Sequence, residues 1–160
     1  MSGDVRIVTF DPAYAKAFAD LNYQWIEKHF AIEEHDREML DHPFEHVIEP
    51  GGEIFFALAG REAVGTAALI AEEEGTFELA KMAVAPEYRG RGIGDRLIAE
   101  CIRFARDDGS RGIYLLSNRS LTPAIELYRK HGFVETPLDA GSPYERANIR
   151  MELALNNGKL

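Results

Sequence analysis

The chain is short of cysteine, of basic residues and of long apolar runs, and each shortage excludes a class of protein. Cys101 is the single cysteine, so no internal disulfide can form, which fits a reducing compartment. Lysine and arginine number 18 against 27 aspartates and glutamates, a formal charge of −9. An acidic domain repels nucleic acid, so no nucleic-acid partner is expected. It also repels an anionic cofactor at long range, so any site for one must be locally basic. The longest apolar stretches, such as Ile54 to Ala59, are strand-sized and far below the roughly 20 residues a membrane helix needs. The start, MSGDVRIVTF, lacks a basic segment followed by a long apolar run, so no secretory leader is expected. The expected setting is cytoplasmic, away from membranes.

What is present suits an ordinary globular domain. With 160 residues, 46% hydrophobic and 28% charged, the chain can bury a full core, and residues 1–160 read as one domain. No repeat, low-complexity tract or linker divides it.

Val5 to Phe10 alternates weakly and reads as a strand, and Pro12 suits a helix start. Tyr14, Phe18, Leu21 and Trp25 mark one face of a helix ending near Phe30, and Glu33 to Leu40 reads as a second, charged helix. Ile54 to Ala59 and Ala63 to Ala71 flank Gly60-Arg61-Glu62, a hairpin signal, and Thr76 to Val84 is a third strand of that group. Gly92 to Asp107 is a helix with Ile93, Leu97, Cys101 and Ala105 on one face, which places Cys101 in the core. Ile113 to Ser117 is a strand, Thr122 caps a helix that begins at Pro123 and stops at Gly132, and Phe133 to Thr136 is a short strand. Asn148 to Leu155 alternates cleanly, with Ile149, Met151, Leu153 and Leu155 on one side. Helices that interrupt a mostly meandering sheet indicate an α+β layer fold.

Between a strand and a helix lies Arg89-Gly90-Arg91-Gly92-Ile93-Gly94. Glycines admit positive φ and close backbone approach, and a helix N-terminus offers unpaired N–H groups to a phosphate. Arg89, Arg91 and Arg96 supply the local positive charge. No Gly-Lys-Ser/Thr follows, which excludes a Walker loop, and Asp95 stands where a dinucleotide fingerprint needs glycine. Taken alone, the segment binds some phosphate-bearing ligand or is simply a tight turn.

The flanking residues sharpen this. ELAKMAVAPEYRGRGIGDRLI, from Glu78 to Ile98, resembles the core motif of the GNAT superfamily of acyl-CoA N-acyltransferases, with Arg89, Gly92 and Gly94 matching. LSNRSLTPAIELYRKHGF, from Leu116 to Phe133, resembles the strand, Asn, helix with Leu-Tyr, and Gly-Phe that follow in that family. The resemblance implies the family's mixed, mostly antiparallel central sheet flanked by helices. It implies acetyl-CoA as cosubstrate, no metal, and a small-molecule or peptide amine as acceptor. Family members are often dimers, so a homodimer is an option.

Residue roles follow from the same resemblance. The backbone of Met82, Ala83 and Val84, on a strand splayed at a bulge, pairs with the pantetheine arm. The amides of Arg89, Gly90, Arg91, Gly92, Ile93 and Gly94, with Asp95, hold the pyrophosphate, and Asn118 hydrogen-bonds the pantetheine. A backbone N–H of Val84 or Ala83 stabilises the oxyanion. Tyr128, at the Leu-Tyr position, is the candidate proton donor to the leaving thiolate; otherwise it is core packing on a stripe with Ala124, Leu127 and His131. Glu78 is the candidate base for the attacking amine, with an ordered water as the alternative. The following strand, Tyr114-Leu115-Leu116-Ser117, carries no carboxylate for that task. Simple alternation sets Glu78 on one face with Ala80, Met82 and Val84, unless a bulge resets it. A non-catalytic acyl-CoA sensor is the rival reading.

Weaker signals remain. His42-Pro43-Phe44-Glu45-His46 fits a zinc-peptidase pattern, but Pro43 leaves His42 outside a shared helical face and no further ligand is evident. Trp25, Phe30 and Tyr144 are candidates to line an amine pocket. The acidic run Glu33, Glu34, Asp36 would attract a cationic amine, whereas Arg146 and Arg150 would attract a substrate carboxylate. These two clues point to opposite acceptors.

Overall fold

A computed structural model describes residues 4–138 and 145–155. Its strands are β1 (Val5–Thr9), β2 (Glu53–Ala59), β3 (Glu62–Glu72), β4 (Thr76–Val84), β5 (Gly112–Ser117), β6 (Val134–Thr136) and β7 (Ile149–Ala154). They form one sheet in the order β1-β2-β3-β4-β5-β7-β6. Every neighbouring pair is antiparallel except β4 with β5. Helices α1 (Ala15–His29) and α2 (Glu34–Asp41) cover one face, and α3 (Ile93–Asp107) and α4 (Thr122–Lys130) cover the other. Strand β2 is therefore sandwiched, which is why Ile54 to Leu58 reads as an unbroken apolar run rather than an alternating one. No helix among the described residues is long and apolar enough to cross a membrane.

Helix α3 buries the expected stripe: Ile93, Leu97, Cys101 and Ala105 are at most 3% exposed. Burial pushes the Cys101 thiol well above its usual range, so it stays protonated and inert. On α1 the buried line is Phe18, Asn22 and Ile26, about a quarter turn from the predicted Leu21 and Trp25, which are only half-buried. An asparagine can occupy that line because its Nδ2 donates to the Phe18 carbonyl at 3.0 Å, satisfying itself within the helix. The start of α4 also differs from expectation. Thr122 is the helix's first residue and no side chain caps it. Asn118 shapes the approach instead, its Oδ1 accepting from the Ser120 N–H at 2.9 Å and its carbonyl from Leu121 at 2.9 Å.

Two irregularities in the sheet create the site. Strand β5 pairs with β4 only through Thr76–Glu78 against Gly112–Tyr114, so β4 beyond Glu78 turns an unpaired edge toward a widening gap. Within β4 there is a bulge: Thr66 faces Ala83 and Ala68 faces Ala80, so one residue of β3 opposes Lys81 and Met82 together. Lys81 takes the left-handed conformation there, at φ 55°. The bulge resets the strand's faces. Ala80, with Glu78 in step beside it, lies toward α1 and α2, while Met82 and Val84 pack against the α3 side.

Candidate active site

The splay between β4 and β5 opens into a cleft of about 450 Å³. Its walls bring together nearly all the residues the sequence singled out: Glu78, the strand from Met82 to Val84, most of the loop from Arg89 to Asp95, Asn118 and Tyr128. Trp25, Phe30 and Arg146 line it as well, whereas Tyr144 lies outside the described residues.

The loop turns on glycines at the start of a helix. Gly90 and Gly92 hold φ of +77° and +78°, a conformation a side chain would strain, and space around both is open. Gly92 ends the loop as the residue before α3, whose first-turn amides have no acceptor within the helix. Gly94 has a different reason to be glycine: a Cβ there would meet Leu127 Cδ2 at 3.1 Å, so it lets α3 and α4 approach closely. The arginines divide. Arg89 and Arg91 are exposed at the loop, with Arg91 over the Tyr88 ring at 4.7 Å. Arg96 donates to the Val5 carbonyl at 2.6 Å on β1, which directs it away from its expected electrostatic role. The Asp95 carboxylate turns to α4, its Oδ1 meeting Lys130 Nζ and His131 Nε2 at 3.0 Å each, and its backbone amide is the group that suits an anionic ligand.

Glu78 is 9% exposed. Burial, helped by the nearby Glu72 charge, raises its pKa to about 7, with Lys81, Arg150 and the Tyr114 hydroxyl pulling the other way. A carboxyl at that value can take a proton at neutral pH and release it again. Tyr128 lines the cleft from α4, its ring 6.0 Å from Phe133, and burial raises its phenol to about 12, which keeps it protonated. One group ready to accept and one holding its proton thus border the same cavity.

Part of each conflicting acceptor clue joins in one cluster, Glu33 and Asp36 with Arg146. Asp36 is fully buried. Lys81 Nζ donates to it at 2.6 Å, and both Arg146 guanidinium ends donate to it at 2.9 and 2.7 Å. Arg146 also reaches Glu33 at 3.3 Å. Burial works against the Asp36 charge, yet Arg146 and Lys81 outweigh it and hold the carboxyl far below its usual range. Arg150 is committed elsewhere, to Glu152 and over the Tyr114 ring. Asn118 Nδ2 donates to the Arg146 carbonyl at 2.6 Å. A polar chain of Lys81, Asp36, Arg146 and Asn118 therefore spans the gap where β4 and β5 no longer pair.

Sequence reasoning missed Asn22 and Lys81 as cleft residues. Lys81 carried a legible signal: two charged residues three apart in an apolar strand, Glu78 and Lys81, share a face only across a bulge. For the zinc pattern, the His42 and His46 rings lie 6.4 Å apart, and among the described residues no group of three or more His, Cys, Asp or Glu could hold a metal.

The acetyltransferase (GNAT) family model matches residues 19–133, and the chain belongs to that family. It is similar to an acetyltransferase of the GNAT family from Staphylococcus aureus Mu50, with a TM-score of 0.87 at 21% identity, covering 96% of this chain and 100% of that one. It is also similar to yncA of Salmonella typhimurium, whose structure holds its cofactor acetyl-CoA, with a TM-score of 0.78 at 20% identity over 98% and 97% of the two chains. In sequence it is 26% identical over 111 residues to the uncharacterized N-acetyltransferase YobR of Bacillus subtilis strain 168, covering 68% of this chain and 44% of that protein. The chain spans less than half the length of the curated relatives it matches.

Proposed function

We propose that this chain is an N-acetyltransferase that moves the acetyl group of acetyl-CoA to a primary amine of a small molecule or peptide. The observation that carries the reading is the unpaired edge of β4, which runs along one cleft to the glycine loop at the start of α3. An extended pantetheine arm fits such an edge as a further strand would, and a pyrophosphate fits the loop amides and the helix N-terminus.

In this reading Met82, Ala83 and Val84 bind the arm through their backbone. Arg89, Gly90, Arg91, Gly92, Ile93, Gly94 and the Asp95 amide take the pyrophosphate. Asn118 has spent one N–H on Arg146 and one acceptor position on Ser120, and its second N–H and lone pair remain for the pantetheine.

Acetyl-CoA supplies an acyl carbon activated by a thioester. Glu78 accepts a proton from the incoming ammonium or amine, so that nitrogen can bond to that carbon. The Ala83 or Val84 N–H stabilises the oxygen charge that develops. Tyr128 gives its proton to the sulfur as the carbon–sulfur bond breaks. The acceptor enters beside Trp25, Ile26 and Phe30, whose side chains offer an apolar wall.

Binding is tested by thermal unfolding with acetyl-CoA. Ligand at a hundred times its dissociation constant stabilises by about 2.7 kcal/mol. Absence of any shift at millimolar acetyl-CoA counts against the reading.

A further inference from the structure

Lys81 sits where a lysine is unexpected. It occupies a strand bulge in a left-handed conformation that L side chains other than asparagine and aspartate rarely adopt. Its side chain is 4% exposed, so its ammonium is held inside the protein. Burial alone pulls its pKa down, and the Asp36 carboxylate at 2.6 Å opposes that pull.

We infer that Lys81 is a positioning residue: pinned by Asp36 through the bulge, it holds a positive charge on the Glu78 face of β4, in the same cleft, and favours the proton-accepting carboxylate there. The inference rests on the reading of Glu78 as the base. The bulge is what makes it work. Without the extra residue, position 81 would alternate away from position 78; with it, Lys81 turns toward α2 on the Glu78 side.

Charged groups from several elements face the pair. Glu78 feels Glu72 from the end of β3, Tyr114 from β5, Arg150 from β7 and Lys81 from its own strand. Lys81 feels Asp36 from α2 and Arg146 from the segment before β7. His35 on α2 feels Lys81 in turn, its pKa lowered first by burial and then by that ammonium. Among these neighbours Glu72 pushes the Glu78 proton affinity up, and Lys81 is the foremost charge opposing it.

The test is a carbon-13 NMR titration of the Glu78 side-chain carboxyl in the full chain, with its signal assigned by loss in Glu78→Gln. Lys81→Met and Lys81→Gln both remove the charge, and Lys81→Gln keeps a hydrogen bond to Asp36 should the methionine variant fail to fold. Lys81→Arg keeps the charge. The expected result is a Glu78 midpoint raised by about one unit or more in the neutral variants and near wild type in Lys81→Arg. A Glu78 midpoint unmoved in a folded neutral variant overturns the inference. The base reading fails separately: a Glu78→Gln enzyme with full turnover at every pH removes it while leaving the titration result intact.

Discussion

Arg146 holds the Asp36 carboxylate with both ends of its guanidinium, at 2.9 and 2.7 Å, while Lys81 takes the same group at 2.6 Å. The fully buried aspartate thereby joins α2, the β4 bulge and the segment entering β7 into one frame around the cleft. Truncating one member of such a cluster leaves buried charge uncompensated, at about 3–5 kcal/mol. Asp36→Ala is expected to fall in that range by urea denaturation at pH 7. The depressed Asp36 pKa gives the effect a sign. Its stabilisation is present above the unfolded value of 3.8 and is lost as pH falls into the acid range. The gap between wild type and Asp36→Asn should therefore narrow steadily below about pH 4.

Glu78 behaves in the opposite sense. Its folded pKa of about 7 lies above its ordinary 4.5, so the native state holds the proton more tightly than the unfolded chain does. Stability is full below 4.5, declines as pH rises to about 7, and stays reduced above it. Glu78→Gln should remove that decline. Urea midpoints at pH 5 and pH 8.5 check this: the variant gains on wild type at the higher pH, by roughly 3 kcal/mol at most. In turnover the same variant should lose most at neutral pH, and its deficit should shrink at high pH as free amine accumulates.

Tyr128→Phe removes a hydroxyl and keeps the ring that packs near Phe133. The expected effect is a fall in kcat of about a hundredfold with acetyl-CoA affinity unchanged. Steady-state kinetics alongside a thermal shift separate the two, and an unchanged kcat removes Tyr128 as the proton donor.

Gly92→Ala and Gly94→Ala should fail differently. At Gly92, with φ of +78°, an alanine strains the backbone by about 1–2 kcal/mol and disturbs the loop, so acetyl-CoA affinity falls. At Gly94 the added Cβ presses on Leu127 and loosens the packing of α4, so thermal stability responds more than ligand affinity does. Paired melting curves with and without acetyl-CoA distinguish these outcomes.

The sequence was most informative where one residue's chemistry has one structural use. The α3 stripe from Ile93 to Ala105 and the sandwiched run of β2 could be read directly, because burial on a helix or between two layers leaves an apolar pattern. The glycine loop was legible as a tight turn before a helix, and Gly94 additionally lets α3 and α4 pack closely. The cluster around Asp36 was opaque for a physical reason. Asp36 and Arg146 are 110 residues apart, and nothing local announces that they neutralise each other. Asn22 was hidden because its polar group is satisfied within its own helix. A bulge in β4 was foreseeable, but its place at Lys81 depends on the register with β3.

The proposed acetyl transfer is tested most directly by release of free thiol from acetyl-CoA in the presence of a broad panel of primary amines. Thiol release is expected with at least one amine, in proportion to acetylated product, and is sharply reduced in Tyr128→Phe. Clear acetyl-CoA binding with no thiol released by any primary amine would contradict it, and would make the cleft a sensor of acyl-CoA.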